Sequence, residues 1–164
     1  MSRLAVIWQA DNVGSTTSIR DLERATSSYK ITLLNHGVRT RDEITGAFGA
    51  AKREHADAVF IPPGPLAEDE HVLFAQLALK HRTAMLASSA AVESGALVSY
   101  GPNYPDLFRR AATYVDKILK GAKPGDLAIE QPTTFETIIN LKTARLIGIK
   151  VPQSVLIRAD RIIE

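Results

Sequence analysis

Apolar runs alternate with helix-period stretches over the first hundred residues. Residues 4–8 are short, continuous and apolar, the pattern of a strand buried on both faces. Across residues 15–29, Ile19, Leu22, Thr26 and Tyr29 recur at helical spacing. Residues 31–34 read as a second strand, and Asn35-His36-Gly37 as the turn that ends it. Thr40-Arg41-Asp42-Glu43 has the form of a capping box, in which Thr40 and Glu43 satisfy each other's free backbone donors. The helix it opens carries Ile44, Ala47, Phe48 and Ala51 on one face. Residues 58–61 form a third strand, stopped by Pro62-Pro63-Gly64-Pro65. Residues 68–81 form a third helix, with Leu73, Leu77 and Ala78 inward. Residues 84–87 and 97–100 supply a fourth and a fifth strand. Strand and helix alternating in this way predict an α/β fold, a parallel sheet covered by helices on both faces.

The remainder has a different rhythm. Asn103 can cap a long helix running to Lys120, with Asp106 in its first turn. Leu107, Ala111, Tyr114, Val115 and Ile118 form its apolar stripe, and Gly121 is the expected left-handed stop. Residues 127–131 and 135–140 read as extended segments separated by Pro132. A short helix over 141–147 is capped by Asn140 and closed by Gly148, and residues 153–164 fit either type of element.

The 164 residues are 45% hydrophobic and 23% charged, enough for a packed core and too apolar for global disorder. The net charge of +2 gives no reason to expect nucleic-acid binding. The absence of cysteine removes disulfides, thiol nucleophiles and Cys-ligated metals, and fixes no compartment. No apolar run approaches the roughly 20 residues of a membrane-spanning helix. The N-terminal apolar run enters Gln9-Ala10-Asp11-Asn12 without a small-residue cleavage site, so no signal peptide is expected.

In an open parallel sheet, ligands bind beyond the carboxyl ends of the strands. The loops 9–16, 35–38, 62–66, 88–92 and 101–103 are the places to look. The first, Asp11-Asn12-Val13-Gly14-Ser15-Thr16-Thr17-Ser18, is the most polar. It either cradles an anion at a helix N-terminus or supplies Ser15 or Thr16 as a cap. Ser88 and Ser89 read equally as ligand donors and as turn residues. Tyr100 ends a strand with a polar tip suited to a cleft, or is a half-buried strand aromatic. Trp8 reads as core at a strand end, with lining the cleft as the alternative. His36 falls in a cleft-side loop, whereas His55, His71 and His81 lie on predicted helices. None has the spacing of a metal site. No nucleophile elbow, dinucleotide fingerprint or phosphate-binding Gly-Lys-Ser/Thr loop occurs. No cofactor and no catalytic residue are expected.

The C-terminal half carries a resemblance. Tyr100-Gly101-Pro102, Lys120-Gly121-Ala122-Lys123-Pro124, Glu130-Gln131-Pro132-Thr133, Ile139-Asn140-Leu141-Lys142-Thr143-Ala144 and Arg158-Ala159-Asp160-Arg161-Ile162-Ile163-Glu164 stand in the order found in solute-binding proteins of ABC importers. The chain resembles the tryptophan/tyrosine-type or uncharacterised members of that family. The resemblance implies a type I periplasmic-binding fold, with two α/β lobes closing on a ligand. This chain resembles the C-terminal lobe alone, with flavodoxin-like layering. Residues 1–101 would be the lobe, 102–128 a hinge-crossing helix and loop that pack on the first lobe, and 129–164 the return. The implied ligand contacts are Asp11, Asn12, Ser15, Ser88 and Ser89, with Tyr100 near the hinge. Amino-acid-binding members usually place Asp, Asn or Thr where this chain has Pro63-Gly64-Pro65, so the resemblance leaves the solute open. A permease partner and a periplasmic or extracytoplasmic setting follow for the parent family. The resemblance places the apolar stripe of helix 103–120 against a first lobe, without which it folds back onto its own lobe or packs on a second copy; a homodimer is expected. The alternative reading is a stand-alone flavodoxin-like domain holding a phosphorylated cofactor on residues 14–18.

Overall fold

The computed structural model describes residues 2–164. Its elements run β1 (Arg3–Gln9), α1 (Val13–Ser28), β2 (Thr32–Val38), α2 (Arg41–Arg53), β3 (Ala58–Phe60), α3 (Pro65–Asp69), α4 (His71–Lys80), β4 (Ala84–Leu86), α5 (Ser89–Glu93) and β5 (Val98–Pro102). They continue as α6 (Tyr104–Leu119), a 3-10 turn (Pro124–Asp126), β6 (Phe135–Asn140), α7 (Leu141–Ile147), α8 (Gln153–Leu156) and β7 (Arg161–Ile163). One sheet has the order β2-β1-β3-β4-β5-β6-β7. Strands β2, β1, β3, β4 and β5 are mutually parallel. The direction then reverses. Asn140 N donates to the Leu97 carbonyl and Asn103 N to the Thr134 carbonyl, so numbers fall along one strand as they rise along the other. β7 lies parallel to β6.

Ala5, Val6 and Ile7 are all fully buried, which accounts for the unbroken apolar run of β1. Successive strand side chains point to opposite faces. Ala5 and Ile7 join the main core with Ile44 and Phe48 of α2, Phe74 of α4 and Val92 of α5. The Phe48 and Phe74 ring centroids lie 6.2 Å apart. Val6 points to the other face, the side left to α1, whose buried apolar residue is Ile19.

Several local expectations are corrected. Asn35-His36-Gly37 is not a turn. It continues β2, because β1 pairs with all seven residues and Gly37 lies opposite Trp8. A Cβ on Gly37 would stand 3.6 Å from the Trp8 ring. His36 is therefore mid-strand, its Nε2 3.6 Å from Glu54 Oε2, and not in a cleft-side loop. The capping box does not form, and Glu43 reaches one residue further back. Thr40 makes no side-chain cap bond, and the Glu43 carboxylate accepts from Arg39 N at 2.7 Å. Pro65 opens α3 at the first helical position it favours, so the expected third helix is two helices meeting at Glu70. Residues 127–131 are not a strand. The caps at Asn103 and Asn140 form as expected, each accepting from the backbone N three residues on, at 2.9 Å. Gly148 closes α7 at φ 78°.

The chain divides into two compact units, residues up to Tyr100 with Thr137–Glu164, and Gly101–Glu136. In the second unit no residue is buried. Arg110 pairs with Glu130 and donates to Thr133 Oγ1 at 3.2 Å, and Tyr114 OH donates to the Ala128 carbonyl at 2.7 Å. These bonds tie residues 128–133 alongside α6 and leave an open groove of about 450 Å³ lined by Leu107, Ala111, Tyr114 and Ile118.

Candidate ligand-binding edge

Parallel register brings the carboxyl ends of β1, β3, β4 and β5 to one edge. Asp11, Asn12 and Ser15 follow β1, Ser88 and Ser89 follow β4, and Tyr100 lies in β5. All six candidate residues therefore stand at that edge of the sheet. The order β2-β1-β3 also makes the β1/β3 boundary the point where connections leave in opposite directions, the place such sheets offer a ligand.

The first loop is built by Asn12. Its side chain accepts from Ser15 N at 3.0 Å, so Asn12, and neither Ser15 nor Thr16, caps α1. Ser15 is turned inward at 4% exposure. Its hydroxyl has no protein partner among the described residues, and a Cβ on Gly64 would stand 3.6 Å from it. Gln9 Oε1 accepts from Leu66 N at 3.3 Å. These contacts draw the loops after β1 and β3 together. The crevice between them, lined by Trp8, Gln9, Ser15, Pro62, Gly64 and Leu66, holds only about 10 Å³. That is room for about one water.

The loop after β4 is joined to the same edge. Ser88 Oγ donates to Glu68 Oε2 at 3.4 Å, linking β4 to α3. Ser89 is exposed as the first residue of α5, a helix read from the sequence only as a loop. Asp11 is exposed, and Tyr100 is 67% exposed. Trp8 donates from Nε1 to Asn35 Oδ1 at 2.5 Å, so its ring is held between β2 and the crevice. Asn12 and Ser15 are bonded to each other, whereas Ser88 reaches the neighbouring loop only through Glu68. The sequence reading missed Gln9 and Glu68. Pro65 at a helix start was the signal for Glu68, because it puts that carboxylate in the first turn beside the cleft.

This edge offers hydroxyls, amides and two carboxylates. No histidine among the described residues bonds to Ser15, Ser88 or Ser89. His71 Nδ1 meets the Glu68 backbone carbonyl at 2.7 Å, not its carboxylate. Among the described residues no cluster of three His, Asp or Glu could hold a metal ion. No helix of the described residues is long and apolar enough to cross a membrane.

Comparison with known proteins fits this geometry. A tyrosine-binding protein of Clostridioides difficile (strain R20291) is 22% identical over 149 residues, covering 90% of this chain and 43% of that protein. Among solved structures, a conserved domain protein from Vibrio cholerae superposes with a TM-score of 0.89 at 22% identity, over 98% of this chain and 54% of that one. An ABC domain in complex with L-Trp from Streptococcus pneumonia gives 0.87 at 23% identity, over 99% and 56%. These likenesses establish the fold, and the chain spans about half the length of each relative. The family model described as ABC transporter substrate binding protein matches residues 1–163. The chain belongs to the ABC transporter substrate binding protein family.

Proposed function

We propose that the chain is the C-terminal lobe of a two-lobed, non-enzymatic receptor that hands a small solute to an ABC permease outside the cytoplasmic membrane. One observation carries this reading. The switch point of the sheet is packed shut around Ser15 and Gly64, with about 10 Å³ left. A ligand must then lie on the edge, not inside it, and a ligand on one edge needs a second surface to enclose it. The same closure opposes a phosphorylated cofactor seated on residues 14–18.

Asp11, Asn12, Ser15, Ser88, Ser89 and Tyr100 form this lobe's half of the site, with Asp11, Ser88, Ser89 and Tyr100 toward the ligand and Asn12 and Ser15 setting the loop beneath them. The solute is an aromatic amino acid, the class bound by the tyrosine-binding and L-Trp-bound relatives. Tyr100 is 67% exposed and can stack on an aromatic side chain, and the carboxylates of Asp11 and Glu68 can receive an ammonium group. Residues 102–128 pack on the other lobe, and residues 129–164 return. Binding works by closure, because the ligand stabilises only the state in which both lobes touch it.

One lobe supplies part of the contacts, so affinity for the isolated chain is expected on the order of 1 mM. Titration of the ¹⁵N-labelled chain with L-Trp and L-Tyr tests this. Shifts confined to the loops after β1, β3, β4 and β5 are expected. Shifts centred elsewhere, or none with either amino acid, would refute the site.

A further inference from the structure

A second surface lies away from the proposed ligand edge. Because β6 runs opposite to β5, its carboxyl end and α7 fall at the other end of the sheet from Asp11 and Ser88. Residues 141–159 contain Lys142, Arg145, Lys150 and Arg158 and no Asp or Glu. None of these four cations has a carboxylate partner among the described residues. Asp160, which follows the segment, and Glu93 of α5 are engaged elsewhere. Asp160 accepts from Thr137 N at 2.7 Å, and Glu93 pairs with Arg161 at 2.5 Å.

The same segment exposes apolar side chains. Gly148 turns the chain left-handed, and Ile149 N bonds back to the Ala144 carbonyl at 2.9 Å. The turn creates an open groove of about 430 Å³ lined by Leu141, Ala144, Ile149 and Val151, with Arg145 and Lys150 also lining it. Leu146 is 66% and Ile157 75% exposed nearby. The segment therefore presents one sign of charge beside apolar surface, a face complementary to an acidic partner.

We propose that this groove docks an acidic protein segment that inserts a bulky apolar side chain. The charge decides against a second copy, because a two-fold contact would set four cations against the same four. The vesicle arm of the test below separates this occupant from a lipid surface. The groove's apolar lining meets the inserted side chain, and carboxylates flanking that side chain meet Arg145 and Lys150.

The test uses the whole chain and a fluorescein-labelled peptide carrying Trp-Leu flanked by glutamates. Anisotropy should rise saturably and weaken with salt. Arg145→Glu with Lys150→Glu should weaken binding by roughly tenfold or more. Arg145→Gln with Lys150→Gln gives a milder loss and guards against misfolding, which melting curves of both variants will reveal. A peptide with Ala-Ala for Trp-Leu should lose most of the affinity. The proposal is overturned if the acidic peptide does not bind, or if folded charge-reversed protein binds it equally. It is likewise overturned if a lysine-flanked peptide binds as well, or if phosphatidylglycerol vesicles bind where the peptide does not.

Discussion

Asn140 sits where β6 hands over to α7, and it holds three elements with one side chain. Its Oδ1 accepts from Thr143 N at 2.9 Å, capping α7. Its Nδ2 donates to the Val92 carbonyl of α5 at 3.0 Å. The residue is buried, as is Thr143, whose hydroxyl donates to the Gly95 carbonyl at 3.0 Å. Asn140→Ala removes the cap, worth about 1 kcal/mol. It also removes a buried side-chain bond, worth about another 1 kcal/mol. The Val92 carbonyl keeps its bond from Gly95 N, which limits the second loss. The expected destabilisation is therefore about 2 kcal/mol, or roughly 4–8 °C in Tm for a chain of this size. Scanning calorimetry measures it. Asn140→Ser keeps a cap acceptor and is too short to reach the Val92 carbonyl, so it separates the two contributions. Combining Asn140→Ala with Thr143→Val should give a non-additive pair, because both tie α7 to the α5–β5 turn. A loss below about 0.5 kcal/mol for Asn140→Ala would mean that this junction does not fasten α7 to the sheet.

Gly95 has φ 120°, and a Cβ there would stand 2.9 Å from Leu79 Cδ1, so Gly95→Ala should cost about 1–3 kcal/mol by chemical denaturation; Leu79→Ala in the same chain should recover the steric part only. The Asp57 carboxylate is held below its ordinary range, first by the Ser2 N–H at 2.6 Å and then by the Arg3 N–H at 3.0 Å. A depressed folded value means the contribution is whole above the unfolded carboxylate range and is lost as pH falls through the lower folded value. Asp57→Asn should therefore flatten the acid limb of a urea-midpoint profile, and an unchanged limb would refute the role. The α6 stripe of Leu107, Ala111, Tyr114, Val115 and Ile118 has no buried residue, and a few hundred Å² of apolar surface represents on the order of 5 kcal/mol. Light scattering of the chain alone should show a dimer that Ile118→Glu converts to a monomer, and a monomeric parent at micromolar concentration would refute the pairing.

The α/β alternation was legible because β1, α2 and α4 each carry their own period. Residues of β1 are buried on both faces, and α2 turns Ile44, Ala47, Phe48 and Ala51 to one side. What was not legible depends on partners distant in sequence. Asn35-His36-Gly37 has turn composition, yet it extends β2 because β1 supplies an unbroken ladder beside it, and a Cβ on Gly37 would stand a tight 3.1 Å from Ala10. Ser88-Ser89 has loop composition, yet Ser88 precedes a five-residue helix whose Ala91 and Val92 are drawn into the core. Local propensity loses to tertiary burial at both places.

The candidate edge follows from position along the strands, whereas its contacts do not. Loops at the carboxyl ends of parallel strands follow from topology, so Asp11, Asn12, Ser15, Ser88, Ser89 and Tyr100 could be placed without knowing any contact. Which groups on those loops face outward depends on how two loops pack together. Ser15 was read as an outward donor or a cap, but Gly64 approaches from the loop after β3 and Asn12 has already taken the cap. The residue that ends up beside Ser88 is Glu68, and it gets there because Pro65 starts a helix three residues earlier. A carboxylate delivered this way comes from a different part of the chain than the Asp, Asn or Thr expected directly after β3. It places negative charge at the same edge by another route, so the proline-rich loop does not by itself strip the edge of an ammonium partner. Glu68→Gln in the amino-acid titration separates the two cases. If Glu68 receives the ammonium, the loop shifts induced by L-Trp should shrink while those induced by an uncharged indole persist. Equal shrinkage of both would assign Glu68 to holding Ser88 alone.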